Sequence, residues 1–186
     1  MKVVFATFIL LLISISIHAA QPWDLQKDDS AITFTASYDG VSFEGMFSDF
    51  EATLVFAPDD LRNSHVESAV NVSSVNTQSR DRDQVLSEPD WFYFKKFPQA
   101  NFSSNNFHSI GDNEYIATGI LQIRNKQHEV ELPFKWIKID NQTTQLRSQF
   151  MLDRRTYNIG IGEWKNDKTI GFDVVVNLEL TFKLTN

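Results

Sequence analysis

Arg80, Asp81, Arg82 and Asp83 follow Ser79 without interruption, setting two guanidinium groups beside two carboxylates. The planar guanidinium fork suits phosphate or carboxylate, and a carboxylate can take a proton, so the cluster could serve anion recognition or acid–base chemistry. A plainer account fits the same residues. Ser79 can accept a hydrogen bond from the free amides at a helix start, Asp81 and Asp83 fall where negative charge suits the helix dipole, and the arginines pair locally in water. Asp83 and His108 are the groups on which a hydrolase- or isomerase-type reaction would draw. His65, His108 and His128 stand singly, with no His-x-His or His-Glu-x-x-His spacing, so no metal site is expected. The run Gly40-Val41-Ser42-Phe43-Glu44-Gly45 is one residue too long for a nucleophile elbow and reads as strand. Gly160-Ile161-Gly162 lacks the third glycine and the helix of a phosphate loop. No catalytic residue and no cofactor is assigned.

The heavier signal is aromatic. Trp91, Phe92, Tyr93 and Phe94 stand in a row beside Lys95, Lys96 and Phe97, in a chain with 16 Phe and 4 Trp. Such a cluster is costly to leave in water and must cover something apolar. Pro89 disfavours helical backbone at Glu88, so a helix started at Ser79 should end by about Ser87 or Glu88. Residues 79–94 therefore read as a short helical insertion carrying an aromatic lid.

The elements on either side must be strands. Ile32, Phe34, Ala36 and Tyr38 alternate with polar residues, Asp39-Gly40 is a hairpin signal, and Val41, Phe43, Gly45 and Phe47 continue one face. The alternation slips by one residue near Ser48-Asp49 before Phe50, Ala52, Leu54 and Phe56, as a bulge would make it do. Val66 to Val72, Ala100 to Ser104, Tyr115 to Ile123, His128 to Trp136 and Leu146 to Leu152 repeat the pattern, with turns at 111–113, 124–127 and 140–142. The last run, Ile170 to Leu184, alternates over fifteen residues, a length typical of barrels. About eight strands joined by short turns predict an all-β antiparallel barrel or sandwich.

Residues 1–20 have the layout of a signal peptide: Lys2, an apolar run from Val3 to Ile17, and a small-residue end at Ala19-Ala20. A membrane anchor is the competing reading, since Val3 to Ala20 is borderline long enough to span. Cleavage after Ala20 leaves residues 21–186 as a single domain with no stable membrane anchor. The absence of cysteine excludes disulfides, thiol chemistry and a cysteine-linked lipid anchor, and secretion without cysteine fits a bacterial periplasm. The net charge of −7 becomes more negative once Lys2 is lost, which argues against nucleic acid as a partner. Oligomeric state stays open, a homodimer included.

Several motifs recur in a familiar order: Ser74-Val75-Asn76-Thr77, Arg82-Asp83-x-x-Leu86, Pro89-Asp90-Trp91-Phe92, Phe97-Pro98 and Phe102-Ser103-Ser104. This order resembles the YceI-like family. Trp23-Asp24-Leu25, Gly45-x-Phe47, Leu132-Pro133 and Arg155 with Tyr157, Ile159-Gly160 and Glu163-Trp164 extend the likeness over nearly all of residues 21–186. Gln122 and Asn125 depart from the Thr and Gly that the family often has there. The resemblance implies a secreted, lipocalin-like antiparallel barrel of about eight strands, associated with polyisoprenoid lipids.

An eight-stranded barrel either fills with its own side chains or holds one small ligand, and abundant aromatics alone leave both open. The resemblance favours a hollow barrel that binds, transports or stores an amphiphilic lipid, a polyisoprenoid or isoprenoid quinone, as a binding protein and not an enzyme. On that reading Phe34, Tyr38, Phe43 and Phe47, with Trp91, Phe92 and Phe94 at the lid, are the expected lining. Arg82 and Arg155 are the candidates for a head group such as a pyrophosphate. The alternatives are an enzyme of hydrolase or isomerase type using a polar pocket residue, and a ligand-free envelope or stress interaction protein with a solid barrel.

Overall fold

Most of the period-two alternation becomes strand in the computed structural model, which describes residues 21–185; the expected signal peptide lies outside the described residues. The strands are β1 (Gln21–Leu25), β2 (Ala31–Tyr38), β3 (Val41–Phe47), β4 (Phe50–Phe56), β5 (His65–Asn71), β6 (Val75–Asn76), β7 (Gln99–Gly111), β8 (Glu114–Ile123), β9 (Lys126–Lys138), β10 (Thr143–Asp153) and β11 (Asp173–Leu184), with helix α1 (Arg80–Leu86) between β6 and β7. They make a closed, eight-stranded antiparallel barrel, because β1 with β2, β3 with β4 and β5 with β6 are each one run of wall interrupted midway. β11 closes the ring on both halves of the first run, pairing Val175 with Thr35 and Trp23 with Leu184.

The interruptions have local causes. Between β1 and β2 a short 3-10 turn, Lys27–Asp29, leaves the wall, and Ser30 Oγ donates back to the Gln26 carbonyl at 2.7 Å. At the slip between β3 and β4 the Asp49 amide donates to Ser74 Oγ at 3.0 Å, so β3 turns to pair with β6 while β4 pairs with β5. The Asp39-Gly40 turn has positive φ at both residues, 47° and 77°, as a two-residue hairpin requires. The last strand is shorter than the alternation predicted. It begins at Asp173, because the carbonyls of Gly171 and Phe172 accept hydrogen bonds from Arg154 Nε and the Arg154 amide, while Ile170 makes only an isolated bridge to Tyr38.

The interior is filled in one half only. At the end holding the β1 start and the β11 finish, Phe56 is 1% exposed and meets Trp136 at 4.8 Å, Tyr115 at 5.2 Å, Phe134 at 5.5 Å and Phe107 at 5.6 Å. Trp23 Nε1 donates to the Phe56 carbonyl at 2.9 Å, so the plug is both packed and bonded. The opposite end carries α1, the aromatic row and the loop between β10 and β11.

Candidate functional site

The lid is built from its hydrogen bonds upward. Ser79 caps α1, its Oγ accepting from the Arg82 amide at 3.5 Å. Asp83 Oδ1 accepts from the Thr77 amide at 2.9 Å and from Thr77 Oγ1 at 2.7 Å, which ties the first helical turn to the end of β6. Arg82 donates to the Thr77 carbonyl at 2.8 Å and lays its guanidinium over the Phe43 ring at 4.5 Å. Beyond the helix, the Asp90 carbonyl accepts from the Gly160 and Ile161 amides at 2.8 and 3.0 Å. Arg124, in the β8–β9 turn, donates to the Pro89 carbonyl at 2.9 Å and to that of Asn158, clamping the insertion to the late loop.

Arg154 holds that loop together. It is 3% exposed, and its five N–H groups reach the carbonyls of Ile159, Gly160, Trp164, Asn166, Ile170 and Gly171 at 2.7–3.1 Å. Burial pushes its pKa below the usual arginine value, partly offset by neighbouring Asp153. The carbonyl dipoles replace the lost water around its charge. Gly160, at φ +71°, must be glycine here, since a Cβ would run into Arg154 Nη1. Trp91, Ile123, Tyr157, Ile159 and Ile170 then form a second apolar cluster beneath the lid. Trp91 Nε1 and Tyr157 Oη have no hydrogen-bond partner among the described residues; their rings lie against Trp164 at 5.6 Å and His128 at 5.3 Å.

Between this lid and the plug lies a cavity of about 540 Å³. Phe34 spreads over Gly45, where a Cβ would collide with its ring, and a chain of rings runs from Phe34 to Phe47 at 5.6 Å and on to Phe92 at 6.3 Å. Along the walls the lining is mostly aliphatic and aromatic, with Glu51, Ser68 and Asn101 among it; Thr77, Ser79, Asp81, Arg82 and Tyr157 supply polar groups at the lid end. Burial pushes the Tyr157 hydroxyl pKa above its ordinary value.

Phe34, Tyr38, Phe43, Phe47, Trp91, Phe92 and Arg82 all line the cavity. Phe94 and Arg155 do not. Phe94 stands behind Phe92, ring centres 6.4 Å apart. Arg155 is paired with Asp153 at 2.5 Å and stacked on Phe172 at 3.7 Å on the outer surface. His108 is exposed on the outer face of β7, and Asp83 is occupied by Thr77, so neither meets the cavity. Among the described residues no group of His, Asp or Glu is placed to hold a metal ion. On sequence alone no site role falls to Arg154, to Tyr157, which enters only a family motif, or to Arg124, which enters only a turn. For Arg154 a signal existed, because it continues the even-numbered inward positions Leu146, Ser148, Phe150 and Leu152 of β10.

Comparison with known proteins adds four findings. The YceI-like domain family matches residues 23–182. Protein YceI of Escherichia coli O157:H7 is 30% identical over 134 residues, 70% of this chain and 70% of that protein. Among solved structures, Burkholderia cenocepacia BcnA is similar with a TM-score of 0.81 at 26% identity, covering 85% of this chain and 99% of the other. A polyisoprenoid binding domain from Saccharophagus degradans, implicated in plant cell wall breakdown, has the same fold with a TM-score of 0.70 at 12% identity, over 89% and 99% of the two chains.

Proposed function

The chain belongs to the YceI-like family, and from that premise we propose that it binds the isoprenoid tail of an amphiphilic lipid inside the barrel, to carry or store it in the periplasm. The observation that carries this reading is the apolar cavity of about 540 Å³ between the aromatic plug and the lid. Transfer of each methylene from water into such a space contributes roughly 0.8 kcal/mol, so a long tail binds without specific polar contacts even after the cost of ordering it. The description of the Saccharophagus degradans domain as polyisoprenoid binding supports the same ligand class. No bond is made or broken on this reading. The lid supplies the path, since its polar residues gather where a head group would meet water. Among the described residues no helix is long and apolar enough to cross a membrane.

Organic extraction of the purified protein followed by mass spectrometry tests this. The expected result is an isoprenoid lipid near one equivalent per chain. Recovery of no lipid, together with failure of the protein to take up added isoprenoid quinone, overturns the reading.

A further inference from the structure

The lid end and the plug end of the barrel differ in charge. Four connections meet at the lid: the turn at 39–40, the insertion at 77–98, the turn at 124–125 and the loop at 154–172. They are bonded into one face, since the Asp39 amide donates to the Thr169 carbonyl at 2.7 Å, the Gly160 amide to that of Asp90 at 2.8 Å, and Arg124 to that of Pro89 at 2.9 Å. Together they hold nine of the chain's 17 Lys and Arg and seven of its 24 Asp and Glu. The three connections at the plug end, 57–64, 112–113 and 139–142, hold Arg62 against Asp59, Asp60, Asp112 and Asp140. A chain of net charge −7 therefore presents a face of net charge +2 at its lid.

The chemistry of that face fits a lipid surface. Lys95, Lys96, Lys165 and Lys168 are all exposed, and among the described residues none of them makes a salt bridge, whereas Arg155 is paired with Asp153 and Arg154 is buried. Half-buried Tyr93, Phe94, Phe97 and Trp164 neighbour these lysines in the chain, and Val41 at 70%, Tyr38 at 43% and Ile161 at 39% expose apolar surface at the same end. Aromatic rings among cations suit the boundary between head groups and acyl chains. Each lysine near an anionic leaflet adds attraction that dies away within a Debye length, about 8 Å in physiological salt. β7 and β9 run 13 residues between the two ends, roughly 30 Å along a tilted barrel, so the acidic plug end lies beyond that reach. We infer that the barrel docks lid-first on a membrane whose surface carries anionic head groups, with the four lysines against those head groups and Val41 dipped beneath them. The docking uses the outer face of the lid and is independent of what the cavity holds.

The test is cosedimentation of the purified protein with sucrose-loaded vesicles, made of phosphatidylcholine alone or of phosphatidylcholine mixed with phosphatidylglycerol, neither containing isoprenoid. Binding should be confined to the anionic vesicles and lost in molar salt, where the Debye length falls to about 3 Å. Lys95→Gln with Lys96→Gln, and Lys165→Gln with Lys168→Gln, should each lower the partition constant about tenfold or more, and Val41→Asp should lower it too. Lys138→Gln with Lys183→Gln changes the net charge equally but near the plug end, and should alter the constant by less than about twofold. Equal binding to both vesicle types, an equal loss in the plug-end variant, no loss in the lid variants, or no vesicle binding at all overturns lid-first docking. Each of those results leaves lipid uptake to be decided by extraction.

Discussion

Arg154 spends all its N–H groups on backbone carbonyls and so has none to offer a ligand. Its work is to fold the 159–171 segment against Trp91, which lies 5.8 Å from the guanidinium. Replacing it by methionine leaves several buried carbonyls unsatisfied, and Arg154→Met should cost about 3–5 kcal/mol in urea denaturation. Its neighbour offers the control. Arg155 is half exposed, and Arg155→Ala should cost less than about 1 kcal/mol. Equal losses in the two variants would remove Arg154 from this role. Asp153 gives a second prediction. Hydrogen bonds from Arg155 hold its carboxyl below the usual carboxylate range. A depressed folded-state pKa contributes stability that is present at neutral pH and lost as pH falls through it, below about pH 4. Asp153→Asn should therefore flatten the decline of the urea midpoint between neutral and acid pH, and an unchanged profile would contradict it.

Among the elements, α1 is the one whose boundaries were plain in the amino acids. Ser79 and Pro89 bracket it, and both ends fall where those residues predict. Ser79→Ala should cost about 1 kcal/mol and speed hydrogen exchange in residues 80–86 while β8 and β11 keep their protection. Faster exchange throughout the barrel would mean that α1 is part of the cooperative core instead of a lid. The strands were legible because one face of each is buried, which imprints parity on the chain. Interruptions were less so. The start of β11 at Asp173 depends on Arg154, which reaches it only through tertiary folding, and period-two residues at Ile170 and Phe172 gave no warning. Arg82 and Arg155 looked equivalent in sequence, yet parity sends Arg154 inward and leaves Arg155 outside.

For the molecule as a whole, the open question in the sequence was whether the inward rings pack on one another or surround a space. Both occur. Phe56, Phe107 and Phe134 meet in the plug, whereas Phe34, Phe47 and Phe92 stand round the cavity. Ring count could not separate these outcomes; small inward residues such as Ala36, Gly45, Ala52 and Ala100 sit on the hollow side, and their positions matter only once the strands are in register. The division gives a barrel without disulfides both a packed half and an open one: the plug supplies a core, and the far half is spanned by the bonded lid.

The most direct measurement is anomalous diffraction from crystals grown with a prenyl alcohol carrying bromine at its tail end. The expected result is a bromine peak inside the barrel, between the ring cluster around Phe56 and the lid ring of Phe92. A peak found only on the outer surface, with the cavity filled by shifted side chains, would contradict it.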